Sequence, residues 1–162
     1  MQTSYTQFQS EAVLGMMSED FTKYVDTVIP QVPVKTATML TADKTAGKVR
    51  NAAKLPSSAA EIARPGAMGI VILDATREIA PGATLDWPAL RPLGVMRRGR
   101  IWVMAETDVA RWTYPYVRFT GSGTIGGFRA DADTANAAQL TDALFITDAQ
   151  AGQLVLLEID IF

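Results

Sequence analysis

The chain has 162 residues, 48% hydrophobic and 20% charged, with no histidine, no cysteine and a formal net charge of −2. This is globular composition at a length that defaults to one domain, and it excludes disulfides, thiol catalysis, Cys/His metal sites and histidine-based triads. No apolar run approaches the roughly 20 residues of a membrane helix, and no basic-then-apolar leader is visible, so neither a membrane span nor a signal peptide is expected.

Residues 1–27 carry little strand character. The first ten are polar apart from Tyr5 and Phe8 and the initial methionine. So few apolar groups cannot build a core, and 1–27 are expected to form an arm that orders on a partner, ahead of a single β domain over 28–162. Val13, Met17, Phe21 and Tyr24 recur at helical spacing, interrupted by Gly15, so a helix over 9–24 is the competing expectation. Residues 32–40 read as extended, with Pro33 marking a sheet edge or strand start, and 43–47 as a turn followed by an extended 48–50. Ser58 and Glu61 have the spacing of a capping box, which opens a short helix within 57–64 that Pro65-Gly66 ends.

Residues 67–73 have the continuous apolar character of a strand buried on both faces. Pro81-Gly82 is a turn, with 83–87 extended after it. Residues 92–96 and 100–105 read as strands, and Arg97-Arg98-Gly99 between them as a hairpin turn. Trp102 falls in an apolar strand and is expected in the core. Residues 114–119 alternate, 121–127 are glycine-rich, and 143–147 and 154–161 are the closing strands. At least eight short strands without helical crossovers predict an all-β fold: an antiparallel jelly-roll-like sandwich or barrel, with an N-terminal arm and one short helix.

Charge is segregated along the chain. Residues 1–90 are nearly balanced at −1, 91–118 carry six arginines against Glu106 and Asp108, and 119–162 carry Arg129 against six carboxylates. The basic and acidic stretches either pair within one chain or meet between copies.

Each chemical motif has a plainer structural account. Gly121-Ser-Gly-Thr-Ile-Gly126 matches a dinucleotide fingerprint, but Gly127-Phe128-Arg129-Ala130 after it does not open a helix, so a hairpin loop is expected. Asp131, Asp133 and Asn136 resemble a calcium loop that lacks its other ligands; a polar loop with Asx turns accounts for them. Glu106 with Asp108, and Glu158 with Asp160, could be acid–base pairs, but each is expected to mark the solvent face of a strand. No cofactor and no metal site is expected. Trp112, Tyr114, Tyr116 and Phe119, with Arg111 and Arg118, are either core residues or anchors of the kind protein interfaces use; the acidic C-terminal third argues against a nucleic-acid groove.

The run from Tyr114 through Arg118, the glycines 121–127 and Phe128-Arg129-Ala-Asp131-Ala-Asp133 resembles the structural cement, or capsid decoration, proteins of tailed phages. The segments 94–106, 144–149 and 152–160 resemble the same family, as does the start at Gly15 to Asp20 with Lys23-Tyr24-Val25. The resemblance implies a jelly-roll-like β domain without enzymatic activity, attached to the outer surface of a virion capsid and clamping neighbouring coat subunits. Its implied partner is the major capsid protein, with neither nucleic acid nor membrane; the segregated charge and the symmetry of shell joints add an expectation of self-association, a dimer slightly ahead of a trimer. The expected contact residues are Tyr5, Phe8, Arg97, Arg98, Arg111, Trp112, Tyr114, Tyr116 and Arg118. A virion-associated or secreted carbohydrate-binding β module is the alternative, which exposed coplanar aromatics beside a carboxylate-lined groove would favour.

Overall fold

The computed structural model describes residues 12–18, 22–47, 51–63, 65–74 and 86–161. In chain order these form β1 (Tyr24–Pro30), β2 (Val34–Lys35), β3 (Met39–Ala42), β4 (Ala52–Lys54), the single helical turn α1 (Ala59–Ile62), β5 (Ala67–Val71), β6 (Asp86–Trp87), β7 (Leu93–Met104), β8 (Tyr116–Arg118), β9 (Phe128–Arg129), β10 (Ala137–Gln139), β11 (Ala143–Phe145) and β12 (Leu154–Asp160). The all-β expectation holds, and among the described residues the α-helix is one turn near its expected place.

The main sheet runs β1-β4-β3-β5-β7-β12-β11, and β1 also pairs with β7. That extra pairing closes β1, β4, β3, β5 and β7 into a ring, the barrel form among the expected architectures. All its seams are antiparallel except β1–β4. The exception corrects a uniformly antiparallel expectation and has a simple cause: five strands cannot alternate direction around a closed circuit, so one seam must be parallel. The second half of β7 leaves the ring and pairs with β12, which carries β11. A small sheet β10-β8-β9 and a two-stranded ribbon β2-β6 lie beside it.

Two apolar clusters share one wall. Val28, Leu40, Ala53, Val71, Leu93 and Val95 come from all five ring strands and fill its interior. The next residues along the same strands, Met39, Ile70 and Met96, belong to a second cluster with Ile101, Val117, Phe128, Phe145, Leu157 and Ile159. Alternate side chains point to opposite faces, so β3, β5 and β7 are covered on both sides. This is why 67–73 read as a buried strand.

Two local expectations are corrected. Arg97-Arg98-Gly99 is not a hairpin turn, because β7 passes straight through it. Tyr24 stands opposite Arg98 and Val25 opposite Met96, so Arg97 is left over as a bulge. Gly99 has φ +133, and a Cβ there would sit 3.1 Å from the Met96 sulfur. The glycine serves a close approach inside a strand. Ser58 makes no side-chain cap bond; instead the Glu61 carboxylate accepts from the Ser57 amide at 2.8 Å and from Lys54 at 2.7 Å. Burial raises the Glu61 pKa, but the Lys54 and Ser57 bonds outweigh it and hold the carboxyl below its usual value.

Strand begins at Tyr24 rather than Val28, so the expected boundary at 27/28 falls inside β1. Ahead of it, Met17 bridges Ile101, and Gly15 donates to the Trp102 carbonyl at 2.8 Å. The described part of 9–24 is therefore extended or turn, because the open edge of β7 offers hydrogen bonds that a Gly15-interrupted helix would forgo. Residues 48–50, 81–85 and the first eleven, with Tyr5 and Phe8, lie outside the described residues.

Candidate functional site

The segregated charges meet inside the chain. β7 and β12 are adjacent and antiparallel, so Arg100 stands opposite Glu158 and Arg98 opposite Asp160. The first pair closes to 2.8 Å and the second to 3.7 Å. Arg97 lies 3.6 Å from Asp26, and Arg111 lies 3.9 Å from Asp148. Cross-strand geometry therefore uses the basic and acidic stretches as intramolecular partners, the first of the two arrangements the sequence left open. Glu158 and Asp160 are half-buried and exposed respectively on β12, as expected of its outer face.

Arg118 leaves the list of surface anchors, because it is only 5% exposed. Its Nε donates to Glu106 at 2.9 Å and its Nη1 to Asp133 at 2.8 Å. Arg129, also buried, reaches Asp131 at 2.7 Å and Asp133 at 3.0 Å. Burial lowers the Arg118 pKa, but the bonds to Glu106 and Asp133 raise it further than burial lowers it. The hydrogen bond from Arg118, with the nearby charge of Arg129, holds the Asp133 carboxyl below its usual value.

The glycine-rich motif has its explanation here. A Cβ on Gly123 would lie 2.3 Å from Arg118 Nε, and one on Gly127 would lie 2.8 Å from a Glu106 oxygen. The loop joining β8 to β9 is a hairpin loop that wraps a buried ion cluster and can approach it only without side chains. Glu106 is thus a structural partner of two arginines, against its expected place on a solvent face. Asp133 accepts no calcium-like role: its amide donates to Asp131 Oδ1 at 2.9 Å in an Asx turn, and its carboxylate is taken by arginines. Asp133, Thr134 and Ala135 all have positive φ, a left-handed turn costing about 1–2 kcal/mol per residue that the ion cluster holds in place. The spacing Arg129-x-Asp131-x-Asp133 after Arg118 was the available sequence signal; oxygen-rich spacing alone does not distinguish a cation ligand from an arginine partner.

Trp112 is the opposite case. It is 66% exposed and has φ +64. Its amide donates to the Phe145 carbonyl at 2.7 Å, and Phe145 donates back to Thr113. The Arg111 amide donates to Asp148, and the Thr113 hydroxyl to the Ala110 carbonyl. This turn is pinned to the edge strand β11, and it points Trp112 outward with exposed Arg111 and Tyr114 on either side. Tyr116, by contrast, is half-buried in β8, and Trp102 is half-buried on the outer face of β7 rather than in the core.

A groove of about 330 Å³ beside Tyr114 is lined by Asp142, Glu158 and Asp160. It offers one aromatic wall, and Arg100 and Arg98 already engage two of its carboxylates. Among the described residues no group of three or more acidic side chains could hold a metal ion.

Fold and site together define a β-structural protein with an ion-locked loop and a bare aromatic turn. A family model described as structural cement protein (E217 gp24/Pam3 gp6) matches residues 1–160, and the chain belongs to that family. It is accordingly a structural protein of the phage virion capsid. Among solved structures, it resembles a chain of "The capsid of Myoviridae Phage XM1", with TM-score 0.73 and 18% identity over 100% of this chain and 98% of that one. A second similarity is to "The crystal structure of head fiber gp8.5 N base in bacteriophage phi29", with TM-score 0.43 and 15% identity over 86% of this chain and 95% of that one. No curated protein sequence matches.

Proposed function

We propose that the protein binds the outside of the capsid and clamps neighbouring coat subunits, without enzymatic activity, and that the Trp112 turn is a principal contact. The observation carrying this is a large aromatic residue held in a left-handed conformation by its own backbone bond, yet two-thirds exposed. Strain maintained at an exposed apolar residue points to a use outside the monomer. Exposed ion pairs contribute up to about 1 kcal/mol and weaken with salt, whereas a buried aromatic anchor contributes about 2 kcal/mol or more.

The test is add-back of purified protein to stripped capsids across a salt series. Trp112→Ala should reduce retention roughly thirtyfold at every salt concentration. Arg98→Ala and Arg111→Ala should cost a few-fold at low salt and nothing at high salt. Arginine variants that cost more than the tryptophan variant in high salt would overturn this division of labour.

The proposal includes self-association as a dimer, because a symmetric oligomer on a two-fold joint turns later contacts into intramolecular ones. It also includes the N-terminal segment with Tyr5 and Phe8, which has too little apolar surface for a core of its own and is read as adding to a neighbouring chain. Deleting residues 1–10 should leave the melting temperature within a few degrees while weakening capsid retention. Unchanged retention would remove the segment from the contact.

A further inference from the structure

The Trp112 turn has a counterpart. Leu90 is 68% exposed, has φ +62, and donates its amide to the Pro30 carbonyl at 2.7 Å. Trp112 has the same combination: high exposure, a left-handed backbone and an amide spent at 2.7 Å on a strand carbonyl. These two are the most exposed large apolar side chains among the described residues. Each has an exposed arginine beside it in sequence, Arg91 in one case and Arg111 in the other. A leucine with positive φ is a genuine conformational outlier, and leaving its side chain in water adds nothing to the fold that would offset the strain.

The two turns stand far apart. Leu90 is tied to the end of β1, where Val28 faces Leu93 at the start of β7. Trp112 is tied to Phe145, which faces Leu157, which in turn faces Ile101. The anchor points are therefore eight residues apart along β7, roughly 25 Å at strand rise, with two further strands between them on the Trp112 side.

We infer that Leu90 with Arg91 is a second capsid contact, chemically matched to Trp112 with Arg111, and that one chain uses the two to hold two copies of the same coat protein. This rests on the cement reading above. Each turn sets an exposed apolar side chain beside an exposed arginine, so each calls for an apolar recess near a carboxylate. A shell of identical coat chains presents such a recess repeatedly, and contacts this far apart fall on two of them. The second contact is then intramolecular and multiplies the affinity of the first.

Glycine separates display from folding, because it adopts positive φ without strain. Leu90→Gly and Trp112→Gly should melt within a few degrees of wild type, yet each should bind stripped capsids at least tenfold more weakly, and the double variant at least a hundredfold. Leu90→Asn, which also tolerates the left-handed region and removes the apolar group, carries the test if the glycine variant folds poorly. With dissociated coat subunits in solution, wild type should take up two per chain and each single variant one. Wild type that fails to bind capsids at all would overturn the cement reading and this inference with it. Leu90→Gly binding like wild type while Trp112→Gly loses affinity would overturn the inference alone. So would a change in the sedimentation of the free protein on Leu90→Gly, since the surface would then join copies of this chain. A stoichiometry of one coat subunit per wild-type chain would equally overturn it.

Discussion

Replacing Arg118 with methionine should destabilise the protein by about 3 kcal/mol, a fall in melting temperature of roughly 10 °C for a chain of this size. Methionine keeps most of the stem, so the loss isolates the charge and its hydrogen bonds. Without the guanidinium, Glu106 and Asp133 face one another with Arg129 as the remaining cation, 3.7 Å from the first and 3.0 Å from the second. The loop glycines would close on a side chain that no longer donates, and the left-handed turn at 133–135 would keep only Arg129 of its two arginine tethers. Removing the opposing carboxylate as well relieves part of the penalty. Arg118→Met with Glu106→Leu should therefore cost less than the sum of the two single changes, measured by urea unfolding.

The pH dependence of that difference has a definite sign. Asp133 ordinarily titrates near 3.8, and the Arg118 hydrogen bond holds it lower in the folded chain. A lowered carboxyl pKa stabilises fully above the unfolded value and is lost as pH falls through the folded one. The gap between wild type and Arg118→Met should therefore be widest at about pH 5–7 and narrow below about pH 4. A gap that stayed constant down to about pH 2 would show that Arg118 acts through packing alone.

Gly69→Ala should be comparably damaging, at about 2–4 kcal/mol, through a different cause. Gly69 has φ +142, and a Cβ there would lie 2.7 Å from the Met96 carbonyl oxygen and 3.1 Å from the Val95 Cβ. Both obstacles belong to β7, which cannot retreat because it also forms a wall of both cores. The β5–β7 seam rests on two register pairs, Ile70 with Met96 and Val71 with Val95, so displacement there opens the ring. Gly152→Ala is the control: φ is +80 but nothing lies within 4 Å of the added carbon. It should cost only the backbone preference, about 1 kcal/mol. Equal losses at the two positions would place the cause in the backbone angle rather than the β5–β7 approach.

Much of the strand content was legible because it rests on local chemistry. The continuous apolar run at 67–73 and the alternation at 154–161 mark strands whatever their neighbours, since side-chain direction alternates along any strand. The helix near 57–64 was bounded by Pro65-Gly66, and Trp112 stood out as an aromatic beside arginine and before proline. Where local chemistry is ambiguous, the same reasoning misplaced things. Arg-Arg-Gly carries the composition of a turn, yet the apolar phase on either side continues through it. Only pairing with β1 on one stretch and β12 on the next shows that the strand does not stop.

Composition, the all-β class and the absence of histidine and cysteine chemistry were thus settled by the sequence itself, because each depends on residues within a few positions of one another or on a simple count. Tertiary structure decided which charges are displayed and which are consumed. Arg118 and Arg111 look alike in sequence, seven residues apart in one basic stretch. One is enclosed by a glycine loop and three carboxylate-bearing residues brought in from 106, 131 and 133, directly or through Arg129. The other stands in solvent beside Trp112. Ring closure, the parallel β1–β4 seam and the matched turns at Leu90 and Trp112 belong to the same category. Each is a relation between residues distant in the chain, fixed by hydrogen bonds and steric approach that no local pattern encodes.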